Sequence, residues 1–272
     1  MSNGIGTRLK KQHDLDELIL QRGPIDFIFA GWECQMVSKA GQGKSYYDRR
    51  FPYFFDLIGA INHLIRVQKY PPVFSLENTY PFGDLVKEIR DTTTLIKSFL
   101  GFPAVADACS FGSTAHRVRC LWTNWISPDV SELAIPETPE LPPLSTILEP
   151  YHRPNKVLKD DEPPFTPVNK TGELRRALPT LVSYPGSYRF KFQGYNQPSP
   201  GMLYNTEKHD SEEANVWERE RLMGFDNGDA CAPGISENTR KAMLGRTMDR
   251  NMAKWLGGIL MAIHALPSYS LA

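Results

Sequence analysis

The sequence predicts an α/β protein: strands alternating with helices in a largely parallel sheet, joined to a smaller irregular lobe. Three observations carry this. Over residues 25–123, short apolar runs alternate with longer stretches of helical periodicity. The run Ile25–Gly31 (IDFIFAG) is mostly apolar and ends in glycine, as a buried strand does when it leaves a parallel sheet. Beyond Pro128 the periodicity fades, and many of the 22 prolines gather between residues 136 and 200.

The elements follow in order. Residues 1–24 are largely polar and charged, with Arg8, Lys10 and Lys11 early on. After the first strand comes a loop with Gly41 and Gly43, and then a helix over Phe54–Val67. Val73–Leu76 reads as a second buried strand that ends at Glu77-Asn78. A helix over Leu85–Leu100 follows, then strands at Ala104–Ala108 and Arg119–Thr123. Helical character returns at Val216–Met223, and Met252–Ile263 is an apolar final helix. This divides the chain into a core (1–135), a lobe rich in proline and aromatic residues (136–210) and C-terminal helices that complete the core (211–272).

Composition narrows the function classes. The 272 residues are 41% hydrophobic, enough to bury a sizeable core. Lys+Arg and Asp+Glu both total 31, so a nucleic-acid partner would need a local basic cleft rather than a globally basic chain. No apolar stretch is long enough to span a bilayer, and no signal-peptide pattern opens the chain. The four cysteines (Cys34, Cys109, Cys120, Cys231) include no CxxC pair, so the spacing predicts no metal site of the zinc-finger kind.

Open α/β sheets carry their active sites at the carboxyl ends of strands. Two segments fit that rule: GWECQ after the first strand, and LENT at the end of the second. If the two strands are neighbours, Cys34 and Glu77 approach each other. A strand-exit thiol can serve as a nucleophile, although a lone cysteine is more often a small buried hydrophobe. A strand-end glutamate is more often a salt-bridge partner than an acid catalyst. Arg117 and Arg119 alternate in AHRVR, and in a strand they would share one face, able to hold a carbonyl or a phosphate. A solvated strand edge is the plain alternative.

As a set, these segments resemble the cytosine-5 DNA methyltransferase family. That family has a Pro-Cys-Gln loop, a Glu-Asn-Val strand end, a Gln-x-Arg-x-Arg strand, an Arg-x-x-Pro-Thr segment and a Gly-Asn-Ser-type turn. Here the counterparts, in the same order, are WECQ (Cys34, Gln35), ENT (Glu77, Asn78), AHRVR (Arg117, Arg119), RRALPTL (Pro179, Thr180) and GRTMDRN from Gly245. WERERLMGF resembles the helix that precedes the last motif. The resemblance implies a Rossmann-like methyltransferase sheet with helices on both faces and a target-recognition lobe. It implies transfer of a methyl group from S-adenosylmethionine to carbon 5 of cytosine in DNA.

The same resemblance implies roles. Cys34 would attack carbon 6 of an extruded cytosine, Glu77 would bond ring nitrogen 3, and Arg119 would steady the base carbonyl. Gln35, Asn78, Arg117 and Thr180 would shape the substrate pocket. Asp14, Gly245 and Thr247 would border the cofactor. Arg175, Arg176, Arg189 and Lys191 in the lobe could meet phosphates or be solvated surface. DNA is the implied partner, together with other chromatin or methyltransferase subunits, and the implied location is nuclear in a eukaryote and cytoplasmic otherwise.

The chain departs from the family in places. Roughly three strands and a glycine loop would precede Ile25 in the family. Here Asn3-Gly4-Ile5-Gly6-Thr7 resembles that loop, but no apolar strand leads into it. Asp14-Leu15 resembles the family's Asp-Ile pair, the alternative being an exposed N-terminal aspartate. Glu33 stands where proline is usual, Met36 for glycine, Thr79 for valine, and Arg246-Thr247 for Asn-Ser. These departures leave open a homologue that binds DNA without an intact cofactor site. A Cys-dependent hydrolase fits less well, because His116 belongs to the arginine strand motif rather than to a pairing with Cys34.

Overall fold

The computed structural model describes residues 3–32, 34, 48–79, 87–125, 135–137, 139–154, 177–178, 181 and 203–264. Gln35, Thr180 and the basic residues expected at phosphates (Arg175, Arg176, Arg189, Lys191) lie outside them. The chain forms two compact units, the first within Met1–Ala106 and Arg119–Ala134, the second within Asp107–Val118 and Ile135–Ser270.

The first unit is a helix-covered mixed sheet. Its elements are α1 (Asn3–Arg22), β1 (Phe27–Gly31), α2 (Pro52–Val67), β2 (Val73–Thr79), α3 (Lys87–Leu100), β3 (Ala104–Asp107) and β4 (Val118–Thr123). The sheet order is β1-β2-β4-β3. β1 and β2 are parallel, with Phe27 opposite Val73 and Gly31 opposite Glu77. β4 is antiparallel to β2, so the sheet is mixed rather than wholly parallel. The reason lies in the connection. Residues 108–117 between β3 and β4 are too few for the helical crossover that a parallel return requires.

Packing explains why these segments hold their form. Leu76 on β2 and Phe54 on α2 are fully buried, with Ile61, Ile96, Cys120 and Trp122 around them. α2 opens with Pro52 in its first turn, where a missing N–H costs nothing. β1 is only partly covered: Phe29 is exposed, and its ring stacks on that of Phe27 at 6.3 Å. The expected fully buried strand is therefore a half-covered one at the end of the sheet order. α1 occupies the largely polar N-terminal segment, and His63 Nε2 on α2 lies 2.6 Å from its Asp16 carboxylate. Asn3–Thr7 lie in this helix, which overturns the glycine-loop reading.

The second unit has a small antiparallel sheet, β5 (His152–Pro154), β6 (Leu203–Asn205) and β7 (Asp210–Glu212), in that order. It also holds α4 (Val216–Leu222), α5 (Glu237–Arg246) and α6 (Arg250–His264). Asn215 caps α4 with a capping box: its side chain accepts from Glu218 N–H while Glu218 accepts from Asn215 N–H. The core joins Leu144, Leu148, Leu178, Leu203, Val216, Leu222, Met223 and Leu244. None of the described helices is long and apolar enough to cross a membrane.

Candidate active site

The parallel pairing of β1 and β2 sets the site. Gly31 faces Glu77 across the ladder, and Cys34 follows three residues past that point, half-buried. The root of its loop is fixed. Trp32 is buried, its ring 5.2 Å from Phe54 and 5.3 Å from Trp122. Its carbonyl accepts a 3.1 Å hydrogen bond from Asn78 Nδ2, while Asn78 Oδ1 accepts from Thr79 N–H at 2.7 Å. Asn78 is 2% exposed, so this amide serves the backbone and not solvent. These bonds tie the backbone of Trp32 to β2. Glu77 and Asn78 lie within β2 and not beyond its end, which makes them more rigid than strand-exit residues.

Arg119 reaches Glu77 from the antiparallel neighbour. In the ladder Glu77 faces Leu121, so Arg119 is its diagonal partner two residues away. Arg119 Nε lies 2.5 Å from Glu77 Oε1, with the two side chains 8% and 12% exposed. The contact is an ion pair held by closeness rather than by an aligned N–H···O geometry. Glu77 is thus a salt-bridge partner within β2. Gly31 completes the arrangement. A Cβ there would meet the Glu77 carbonyl oxygen at 3.1 Å and Oε2 at 3.3 Å, so only glycine leaves the carboxylate undisturbed.

The other arginine works elsewhere. Arg117 precedes β4 and is not part of it, and both arginines are buried, so the solvated-edge reading fails. Arg117 Nη2 donates to the carbonyls of Thr247 at 2.5 Å and Gly245 at 3.4 Å. Those carbonyls end α5, where helices leave acceptors without internal partners. Arg117 is thus a C-terminal clamp for α5.

Of the residues expected around S-adenosylmethionine, Asp14 belongs to the first unit, and Gly245 and Thr247 to the second. Asp14 is exposed on α1, Gly245 lies within the last turn of α5, and Thr247 is its C-cap. The carbonyls of Gly245 and Thr247 are engaged by Arg117.

The thiols separate by environment. Burial pushes Cys120 up to about 12, and burial together with Asp107 and Asp249 does the same to Cys109. Both settings favour the protonated thiol. Half-buried Cys34 and exposed Cys231 are the accessible thiols, and only Cys34 stands at a strand end. A cavity of about 420 Å³ opens beside Asn78 and Thr79, walled by Trp32, Cys120, Trp122 and Lys97. Its size suits a small ligand. Trp32, Gly31 and the cavity wall were not singled out from sequence; the glycine that ends IDFIFAG was the one available signal.

No family model and no curated protein matches the chain in sequence. Solved structures do match in shape. The Dnmt2 methyltransferase of S. pombe aligns over 89% of this chain and 79% of its own, with a TM-score of 0.53 at 16% identity. A triple mutant of Spodoptera frugiperda DNMT2 aligns over 89% and 81%, with a TM-score of 0.52 at 14% identity. The chain shares the fold of these two solved structures. Identities this low speak to the fold alone, and that fold is the Rossmann-like α/β architecture expected from the sequence.

Proposed function

We propose that the chain is a cytosine-5 methyltransferase acting on DNA, with Cys34 as nucleophile, Glu77 as the base-contacting carboxylate and Arg119 as its partner. One observation carries this reading. On a methyltransferase fold, the Gly31–Glu77 register joins the root of the Cys34 loop to a carboxylate that is already ion-paired. Several kinds of enzyme use α/β sheets. A cysteine loop, a strand carboxylate and an arginine on the adjacent strand are what covalent activation of a pyrimidine needs.

The chemistry follows from these groups. The extruded cytosine enters with ring nitrogen 3 toward Glu77. The Cys34 thiolate adds to carbon 6, and the ring electron pair moves to make carbon 5 nucleophilic. Arg119 stays on Glu77 and fixes the carboxylate, so the base carbonyl contact expected of it gives way to a positioning role. Asn78 holds the Trp32 carbonyl and keeps the loop from drifting as sulfur attacks. When bound, S-adenosylmethionine would supply the methyl group to carbon 5; loss of the carbon 5 proton to a base then lets the bond between Cys34 and carbon 6 break and restores the ring.

A second reading, a homologue that binds DNA without turnover, draws on the helical Asn3–Thr7 and the exposed Asp14. One experiment separates the two. Purified chain is incubated with S-adenosylmethionine and a duplex containing 5-fluorocytosine, then denatured. A covalent adduct that Cys34→Ser abolishes supports the enzyme. DNA retention without an adduct supports the second reading and ends the first for this chain. The same oligonucleotide made as RNA distinguishes the nucleic-acid substrate.

A further inference from the structure

We propose that Asp107, Cys109 and His116 form a binding site for one divalent transition-metal ion of the zinc class. The three residues flank one turn. Asp107 ends β3, Cys109 lies in the 3-10 turn Ala108–Phe111, and His116 stands on the return toward β4. Their ligand atoms lie within 4.8 Å of one another. His116 Nδ1 is 2.8 Å from Asp107 Oδ2 and 3.4 Å from Cys109 Sγ.

These spacings approach those of a metal shell. Tetrahedral zinc with bonds of about 2.0–2.3 Å separates its ligand atoms by roughly 3.3–3.8 Å. The sulfur–nitrogen edge already has that length. The oxygen–nitrogen edge needs to open by about half an ångström, within reach of a small rotation of the exposed His116 ring. The turn aims the carboxylate: Asp107 Oδ1 accepts from Arg117 N–H at 2.8 Å and Cys109 N–H at 3.3 Å, which leaves Oδ2 toward the histidine. Backbone orientation of this kind is how metal ligands are held.

Charge and access agree. The His116 and Asp107 side chains are 56% and 27% exposed, so an ion has an entry path, while Cys109 closes the site from the buried side. Asp249 adds negative potential near the sulfur. A neutral imidazole, a carboxylate and a thiolate balance a dication. Binding breaks the Cys109 S–H bond, forms a metal–sulfur bond and releases one proton to solvent, leaving a fourth position for water. A catalytic Cys-His-Asp relay is a poorer account of the same residues. In such a relay the nucleophile and the carboxylate use different imidazole nitrogens, whereas here both lie against Nδ1. A search for CxxC spacing does not register this mixed set.

Cobalt(II) titrated into the purified, reduced full-length chain tests the site. The expected result is a thiolate-to-cobalt charge-transfer band saturating at one equivalent, erased by added zinc, with one proton released per ion. Cys109→Ser removes the band. His116→Ala, at an exposed position, keeps the wild-type melting curve and weakens binding at least tenfold. Cys34→Ser leaves the titration unchanged. Absence of the band in wild type, or a band that survives Cys109→Ser or disappears with Cys34→Ser, overturns the proposal. If Cys109→Ser does not fold, unweakened binding in His116→Ala overturns it equally.

Discussion

Arg119 and Glu77 are diagonal partners on antiparallel strands, and their charged atoms meet at 2.5 Å in a nearly buried setting. An ion pair so placed is weak as net stabilisation but costly to halve, because removing one partner leaves the other charge buried alone. Arg119→Ala is therefore expected to lower unfolding stability by about 3 kcal/mol and to abolish adduct formation. The double variant Glu77→Gln/Arg119→Met restores most of the stability in urea melts while remaining inactive. Single and double variants of equal stability would show that the pair does not carry the buried charge.

Asn78 joins the two strand ends through the Trp32 carbonyl. Asn78→Ala leaves that carbonyl and the Thr79 N–H without these partners, at a cost of about 1–3 kcal/mol. Because the lost bond anchors the Cys34 loop, the adduct rate falls further than stability predicts. Urea denaturation and single-turnover trapping on the same sample provide the comparison. A rate loss no larger than the loss of folded protein would assign Asn78 a purely structural role.

The fold was legible where periodicity and strand-end chemistry coincide, and obscure where distant contacts decide. Phe54–Val67 and Val73–Leu76 announce themselves through apolar spacing, and their counterparts α2 and β2 differ only at the ends. Glycines and charges interrupt the periodicity of α1, and its link to α2 through His63 and Asp16 is invisible along the chain. Strand direction left no mark in the apolar pattern of Arg119–Thr123, whereas the short 108–117 connection did carry it. At the site, Cys34, Glu77 and Asn78 were readable from two strand ends. The contacts of Arg117 with the end of α5 were not, since those carbonyls lie 128 and 130 residues away.

Gly31 separates geometry from stability. Alanine there pushes a Cβ against the Glu77 backbone oxygen and Oε2. Gly31→Ala is expected to cost about 1–2 kcal/mol by overpacking and to reduce adduct formation by more than tenfold through displacement of the carboxylate. Trapping at a temperature where the variant is fully folded by circular dichroism isolates the second effect. Wild-type trapping rates under those conditions would mean that the carboxylate position is not critical.

His152 gives the second unit a pH-dependent hold. Its Nδ1 lies 2.6 Å from Glu218 and its Nε2 2.7 Å from Glu212, within a buried setting. Burial works against the imidazolium, yet the two carboxylates outweigh it and raise the His152 pKa above its ordinary value. A raised histidine stabilises the fold fully below its unfolded value, about 6.5, and that contribution is lost as pH rises through the folded value. Glu212 acts in the opposite direction. Burial disfavours its charge, but Asn205, Lys208 and His152 bring it down to about 2, so its contribution is present above its ordinary value of 4.5 and lost as pH falls toward 2. Stability of this unit should therefore be greatest near pH 5–6 and decline on both sides, the alkaline limb belonging to His152 and the acid limb to Glu212. His152→Gln is expected to flatten the alkaline limb and leave the acid limb in place, as read by urea melts across pH 3–9. An alkaline decline of unchanged size in that variant would remove His152 as its source.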